Sequence, residues 1–245
     1  MTARLDDGGA PSMAQPRKLH DKYFKQAKAQ GYLARSAYKL MEINERRPVI
    51  KAGDAVLDLG CAPGSWVQVA SDLVGPRGLV VGIDLLECSP LLAESVGSNV
   101  HCMVADVFNV DARTLLEAAG SLHAGSSGFD AVISDMAPNT TGHGDDLLSA
   151  RLCRRVLEVL PRLLRPGGNL VMKIFEGSEY QAVVLETREV FREAKGFKPK
   201  ACREVSRETY IVAYGYRPPA DAPSDRPRPS RAAPAPPAPP PGWNR

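Results

Sequence analysis

The sequence has no closely spaced cysteine pair, no histidine-based metal motif and no run long and apolar enough to cross a bilayer. Its five cysteines (Cys61, Cys88, Cys102, Cys153 and Cys202) are odd in number and scattered, without the Cys-x-x-Cys spacing of a zinc or thiol-redox site. They read as small buried hydrophobes in a reducing compartment. The four histidines form no His-Glu-x-x-His pattern, so no catalytic metal is expected. A membrane span needs roughly 20 apolar residues, and no stretch approaches that length. The first dozen residues contain no apolar secretion core and carry two adjacent acids, Asp6 and Asp7. The expected location is the cytoplasm, with no membrane partner. Also missing are the G-x-G-x-x-G fingerprint of dinucleotide binding and the Gly-Lys-Ser/Thr of a phosphate loop, which disfavours a nicotinamide oxidoreductase or a nucleotide hydrolase.

What is present is unevenly distributed. The net charge of the 245 residues is +3. Residues 1–51 hold 11 Lys or Arg against 5 Asp or Glu, whereas residues 52–217 hold 16 against 21. Arg17, Lys18, Lys22, Lys25 and Lys28 fall close together, a distribution that suits a polyanion approached from the N-terminal side. Of the 21 prolines, 11 lie in residues 218–245 among many alanines. That tail is expected to be disordered, as are residues 1–16. Between them the chain divides into a basic helical segment, residues 17–51, and a core, residues 52–217.

Periodicity predicts helices over about 21–30 and 36–46. In the second, Ala37, Leu40, Met41 and Asn44 mark one face, and Arg35 and Lys39 sit one turn apart on another. From Ala55 onward short apolar runs alternate with helical stretches. The runs are Ala55–Leu59, Leu79–Ile83, Val100–Val104, Ala131–Ser134 and Asn169–Ile174, with helices expected over 65–74, 145–164 and 178–195. Two last strands, near 200–205 and 209–216, have no helix between them and should pair antiparallel. The pattern is α/β: a mostly parallel sheet covered by helices on both faces and closed by an antiparallel edge.

The first run leads into Asp58-Leu59-Gly60-Cys61-Ala62-Pro63-Gly64-Ser65-Trp66, a glycine-rich turn that opens a helix and lets backbone approach a ligand over the strand ends. Four strands deliver an acid at or just beyond the same end: Asp58, Asp84, Asp106 and Asp135. Asp84 is placed to accept ribose hydroxyls, and Asp106 to meet an adenine amine. With no Lys or Arg in the turn, a cationic cofactor carrying adenosine fits better than a dinucleotide.

These residues resemble a known family. DLGCAPGSW at 58–66, SDMAPNTTG at 134–142, GYLARSAYKLMEI at 31–43, VMKIFEG at 171–177 and SRETYIVAYG at 206–215 are similar, in order, to the motifs of the FtsJ/RrmJ (RlmE) family of ribosomal RNA 2′-O-methyltransferases. The resemblance implies a Rossmann-like class I methyltransferase fold with a seven-stranded sheet, and S-adenosylmethionine as methyl donor. Donor contacts would fall on Gly64, Trp66, Asp84, Asp106 and Asp135. A catalytic tetrad would fall on Lys39, Asp135, Lys173 and Glu208. The implied substrate is a uridine ribose of large-subunit ribosomal RNA; separately from the resemblance, a monomer is expected.

The chemistry agrees with the residues. A ribose hydroxyl is a poor nucleophile at neutral pH and needs a base or strong polar orientation. Lys173, mid-strand between Met172 and Ile174, is the candidate, either as proton acceptor or as an orienting cation held by the carboxylates. Asp-Met-Ala-Pro after the fourth strand differs from the Asn-Pro-Pro-Tyr loop of base N-methylation and favours oxygen as target. The competing readings are a 2′-O-methyltransferase of transfer RNA or an mRNA cap, and a non-catalytic RNA-binding assembly factor; an intact tetrad speaks against the latter.

Overall fold

A computed structural model describes residues 22–120, 128–138, 144–202 and 206–220. Arg17, Lys18, the expected disordered start and nearly all of the proline-rich tail lie outside the described residues. Among those described, seven strands form one sheet in the order β3-β2-β1-β4-β5-β7-β6. The strands are β1 (Ala55–Leu59), β2 (Leu79–Asp84), β3 (Val100–Val104), β4 (Phe129–Ser134), β5 (Leu164–Phe175), β6 (Phe191–Phe197) and β7 (Glu208–Tyr216). β1 pairs parallel with β2 and β4, and β4 with β5. β7 runs antiparallel to both β5 and β6, so the antiparallel closure is a strand inserted between its neighbours.

Helices cover both faces. Alternate residues of β1 divide the core: Ala55, Leu57 and Leu59 pack with α5 (Asp145–Leu163), α6 (Tyr180–Val190) and α4 (Ala112–Gly120). Val56 faces α2 (Ala37–Arg46) and α3 (Ser65–Val74) on the other side. Burial on both faces explains why β1, β2 and β4 read as continuous apolar runs rather than alternating ones. A short helix, α1 (Lys22–Ala29), carries exposed Lys25 and Lys28. α2 packs against α3, so the basic segment is continuous with the core. No helix among the described residues is long and apolar enough to cross a membrane.

Two boundaries differ from expectation. The helix expected over 178–195 ends at Val190, and the edge strand is Phe191–Phe197 rather than 200–205. Phe191-Arg-Glu-Ala-Lys-Gly-Phe has helix-forming composition, but Phe191 and Ala194 are buried against the sheet and the ladder to β7 overrides local preference. The Pro166-Gly167-Gly168 stop lies inside β5, where the register with β4 jumps from Phe129↔Leu164 to Ala131↔Asn169.

Strand order reverses between β1 and β4, since β2 and β3 lie to one side and β5 to the other. In open α/β sheets the crevice at the carboxyl ends of such neighbours is where ligands bind.

Candidate active site

The glycine turn is anchored at that crevice. Gly60 and Cys61 both donate backbone N–H bonds to the Ile83 carbonyl, at 2.8 and 3.1 Å. Gly60 has φ +85°, and a Cβ there would collide with the Met136 side chain. A cavity of about 390 Å³ opens beside it, lined by Gly60, Asp84, Asp106, Asp135, Met136 and Leu152 among others. One Asp84 oxygen accepts from the Ala62 amide at 3.0 Å and the other from the Leu86 amide at 3.0 Å. Asp106 likewise accepts from the Phe108 amide at 2.9 Å and from the Asn109 side chain at 2.8 Å. Both carboxylates are thus fixed in orientation and still have acceptor capacity.

Three of the expected cofactor residues, Asp84, Asp106 and Asp135, therefore meet in one cavity; Gly64 and Trp66 do not line it. Gly64, at φ +113°, precedes α3, and a Cβ there would lie 2.8 Å from Leu92. The Trp66 indole is buried, donates to the Ser36 carbonyl at 2.9 Å and stacks on Tyr210.

Asp58, inside β1, is fully buried, and among the described residues neither of its oxygens has a hydrogen-bond partner. Burial pushes its carboxyl well above the usual range, and the charges of Asp135, Cys88 and Asp84 push the same way.

The four expected tetrad residues also meet. Lys173 on β5 pairs across the ladder with Tyr210 on β7, and Glu208 is two residues before Tyr210, so all three share the face that carries Val171 and Val212. α2 packs on that face and brings Lys39 down to it. Lys39 Nζ donates to Glu208 Oε2 at 3.0 Å. Lys173 Nζ lies 3.1 Å from Asp135 Oδ1 and 4.0 Å from Glu208 Oε1, and it also donates to the Asp135 carbonyl. Both lysines are buried, at 5% and 7% exposure. Burial pushes the Glu208 carboxyl up, but the Lys39 charge and hydrogen bond, together with Lys173 and Ser206, outweigh it and hold it below the usual glutamate value.

The FtsJ-like methyltransferase family profile matches residues 32–216. The chain belongs to that family. It is 41% identical over 214 residues to a ribosomal RNA large subunit methyltransferase E from Myxococcus xanthus, covering 86% of this chain and 96% of that one. It is 46% identical over 198 residues to the protein of the same name from Desulforapulum autotrophicum, covering 80% and 92%. Among solved structures, a ribosomal RNA methyltransferase from Plasmodium falciparum superposes with a TM-score of 0.63 at 23% identity, covering 77% of this chain and 100% of that one. The fibrillarin/Nop5p complex superposes at 0.52 and 18%, covering 74% and 83%. These two likenesses show the class I methyltransferase fold.

Two parts of the methyltransferase site were not read from sequence. Tyr210 is fully buried, and its hydroxyl donates to Asp135 Oδ1 at 2.7 Å. Burial raises its phenol well above the usual range, as do the Asp135 and Glu208 charges. Its position two residues after Glu208 on a strand was the available signal. The second is a cysteine cluster. The expectation of small buried cysteines holds for Cys61, Cys153 and Cys202, whereas Cys88 and Cys102 are half-buried; Cys61, Cys88 and Cys102 come together, with their sulfurs all within 4.8 Å of one another. They lie on a turn, a loop and a strand far apart in sequence, so spacing gave no sign of it.

Proposed function

We propose that this methyltransferase moves the methyl group of S-adenosylmethionine to the ribose 2′-hydroxyl of a uridine in large-subunit ribosomal RNA. The observation that carries the reading is the closed Lys39–Glu208 and Lys173–Asp135 pairing beside the acid-lined cavity. The substrate is taken from the curated relatives, whose names specify large-subunit ribosomal RNA.

The residues suit the donor. Gly60 lets the turn pass tight against Met136 at the cavity wall, where a side chain has no room. Asp84 and Asp106 offer fixed acceptors for ribose hydroxyls and an adenine amine. Gly64 and Trp66 are assigned to the donor through the family resemblance, and Trp66 fixes the turn before α3 against Ser36. When bound, the sulfonium supplies an already activated methyl group. What remains for the protein is alignment and control of one proton.

Lys173 is the group that meets the ribose hydroxyl and its proton. Asp135 holds Lys173 through both its carboxylate and its carbonyl, and Tyr210 donates to the same carboxylate oxygen, Oδ1. Glu208 holds Lys39, whose charge adds to the field at the attacking oxygen. Residues 17–51 are assigned to RNA phosphates, with Lys25 and Lys28 exposed for that contact. The protein is assigned to act as a cytoplasmic monomer, without a metal in the methyl-transfer step.

The test is incubation of the purified protein with methyl-labelled donor and large-subunit RNA, followed by digestion to nucleosides. Label in 2′-O-methyluridine supports the reading; label in a base-methylated nucleoside, or in none, refutes it.

A further inference from the structure

Cys61, Cys88 and Cys102 converge from three elements: the glycine turn, the loop after β2, and β3. Cys61 and Cys88 Sγ are 3.5 Å apart, and all three sulfurs lie within 4.8 Å of one another. Space for them comes from Gly82 in the middle of β2, which pairs directly with Cys102. A Cβ on Gly82 would sit 2.9 Å from Cys61 Sγ and 3.2 Å from Cys102 Sγ, so any other residue would push the sulfurs apart.

We propose that these three thiols form a binding site for a thiophilic d10 ion of the zinc(II) class. Metal–sulfur bonds of about 2.3 Å at tetrahedral angles place sulfurs about 3.8 Å apart, within the separations present here. Soft thiolates select such an ion over magnesium or calcium. A disulfide uses two sulfurs and leaves the convergence of a third without a reason. Each thiol gives up its proton as its sulfur bonds the ion, so three protons leave per ion bound, and solvent completes the fourth position. Cys88 and Cys102 are half-buried, which gives an ion a route in, while Cys61 is buried.

The consequence is local. Cys61 stands between Gly60 and Ala62, both at the cavity wall, and Cys88 lies four residues after Asp84, in the loop that follows β2. A shared ion would tie the turn to that loop across the Ala62–Asp84 hydrogen bond, and so hold one wall of the cavity. The site is separate from the tetrad, and its existence does not depend on the substrate assigned above.

The experiment is a cobalt(II) titration of the reduced full-length protein, followed by zinc(II) competition. One equivalent per chain should produce sulfur-to-cobalt charge-transfer absorption that zinc abolishes. Cys88→Ser and Cys102→Ser should each weaken affinity at least tenfold with unchanged circular dichroism. No charge-transfer band, or a band unaltered in both variants, overturns the proposal. Should the variants misfold, alkylation of the wild-type protein decides. Zinc should protect Cys88 and Cys102 from iodoacetamide, and equal labelling with and without zinc overturns the site. A Cys61–Cys88 disulfide in protein that binds no metal also overturns it.

Discussion

Lys173 brings a charge into the middle of a strand, between Met172 and Ile174, which are both fully buried. Burying an ammonium is costly unless it is paired, and here Asp135 and Glu208 supply the pairing. Lys173→Ala should lower methylation by about 10²-fold or more, the usual scale for losing a positioned proton-handling group. Donor affinity by calorimetry should stay within a few-fold. Asp84→Ala should do the reverse in binding, weakening donor affinity about tenfold or more through lost hydrogen bonds to ribose and a loosened turn. Glu208 adds a pH signature. Its folded value is lowered, so its stabilisation is complete above the ordinary glutamate value and is lost as pH falls through the lowered one. Urea unfolding of Glu208→Gln between about pH 6 and pH 3 should lack that acid-side loss relative to wild type.

At the scale of elements, the glycine turn joins β1 to α3 and forms part of the wall of the acid-lined cavity. Gly60→Ala would place a side chain at φ +85° against Met136. The backbone strain alone costs about 1–3 kcal/mol. The variant should show a lower thermal midpoint together with weakened donor binding. The turn, the acids at the strand ends and Lys173 stood out by local signals, a glycine where backbone must bend or a charge at or inside an apolar run, whereas Lys39 and Glu208 were named only through the family resemblance. β6 was not legible, since Phe191–Phe197 becomes a strand only by pairing with β7. Tyr210 was not singled out within the strand predicted over 209–216, and only the ladder places its hydroxyl on Asp135. The cysteine cluster depends on three-dimensional convergence over Gly82, which no spacing rule contains.

At the scale of the whole molecule, the proposed function assigns the positive charge of the N-terminal end to a polyanion and the acid-lined cavity to a cationic donor. RNA affinity should therefore fall steeply between about 50 and 200 mM salt, while donor affinity changes little. Removing residues 218–245 should leave methylation nearly intact, because the family match ends at residue 216 and Lys39, Asp135, Lys173 and Glu208 all lie within it. The central claim is that this fold delivers a methyl group to one ribose oxygen of large-subunit RNA through Lys173. The most direct test is a map of 2′-O-methyl positions in ribosomal RNA from cells lacking the gene, complemented with wild type or with Lys173→Ala. One uridine of the large subunit should regain its methyl group with wild type and not with the variant. No change at any ribose, or equal restoration by both, would contradict the account.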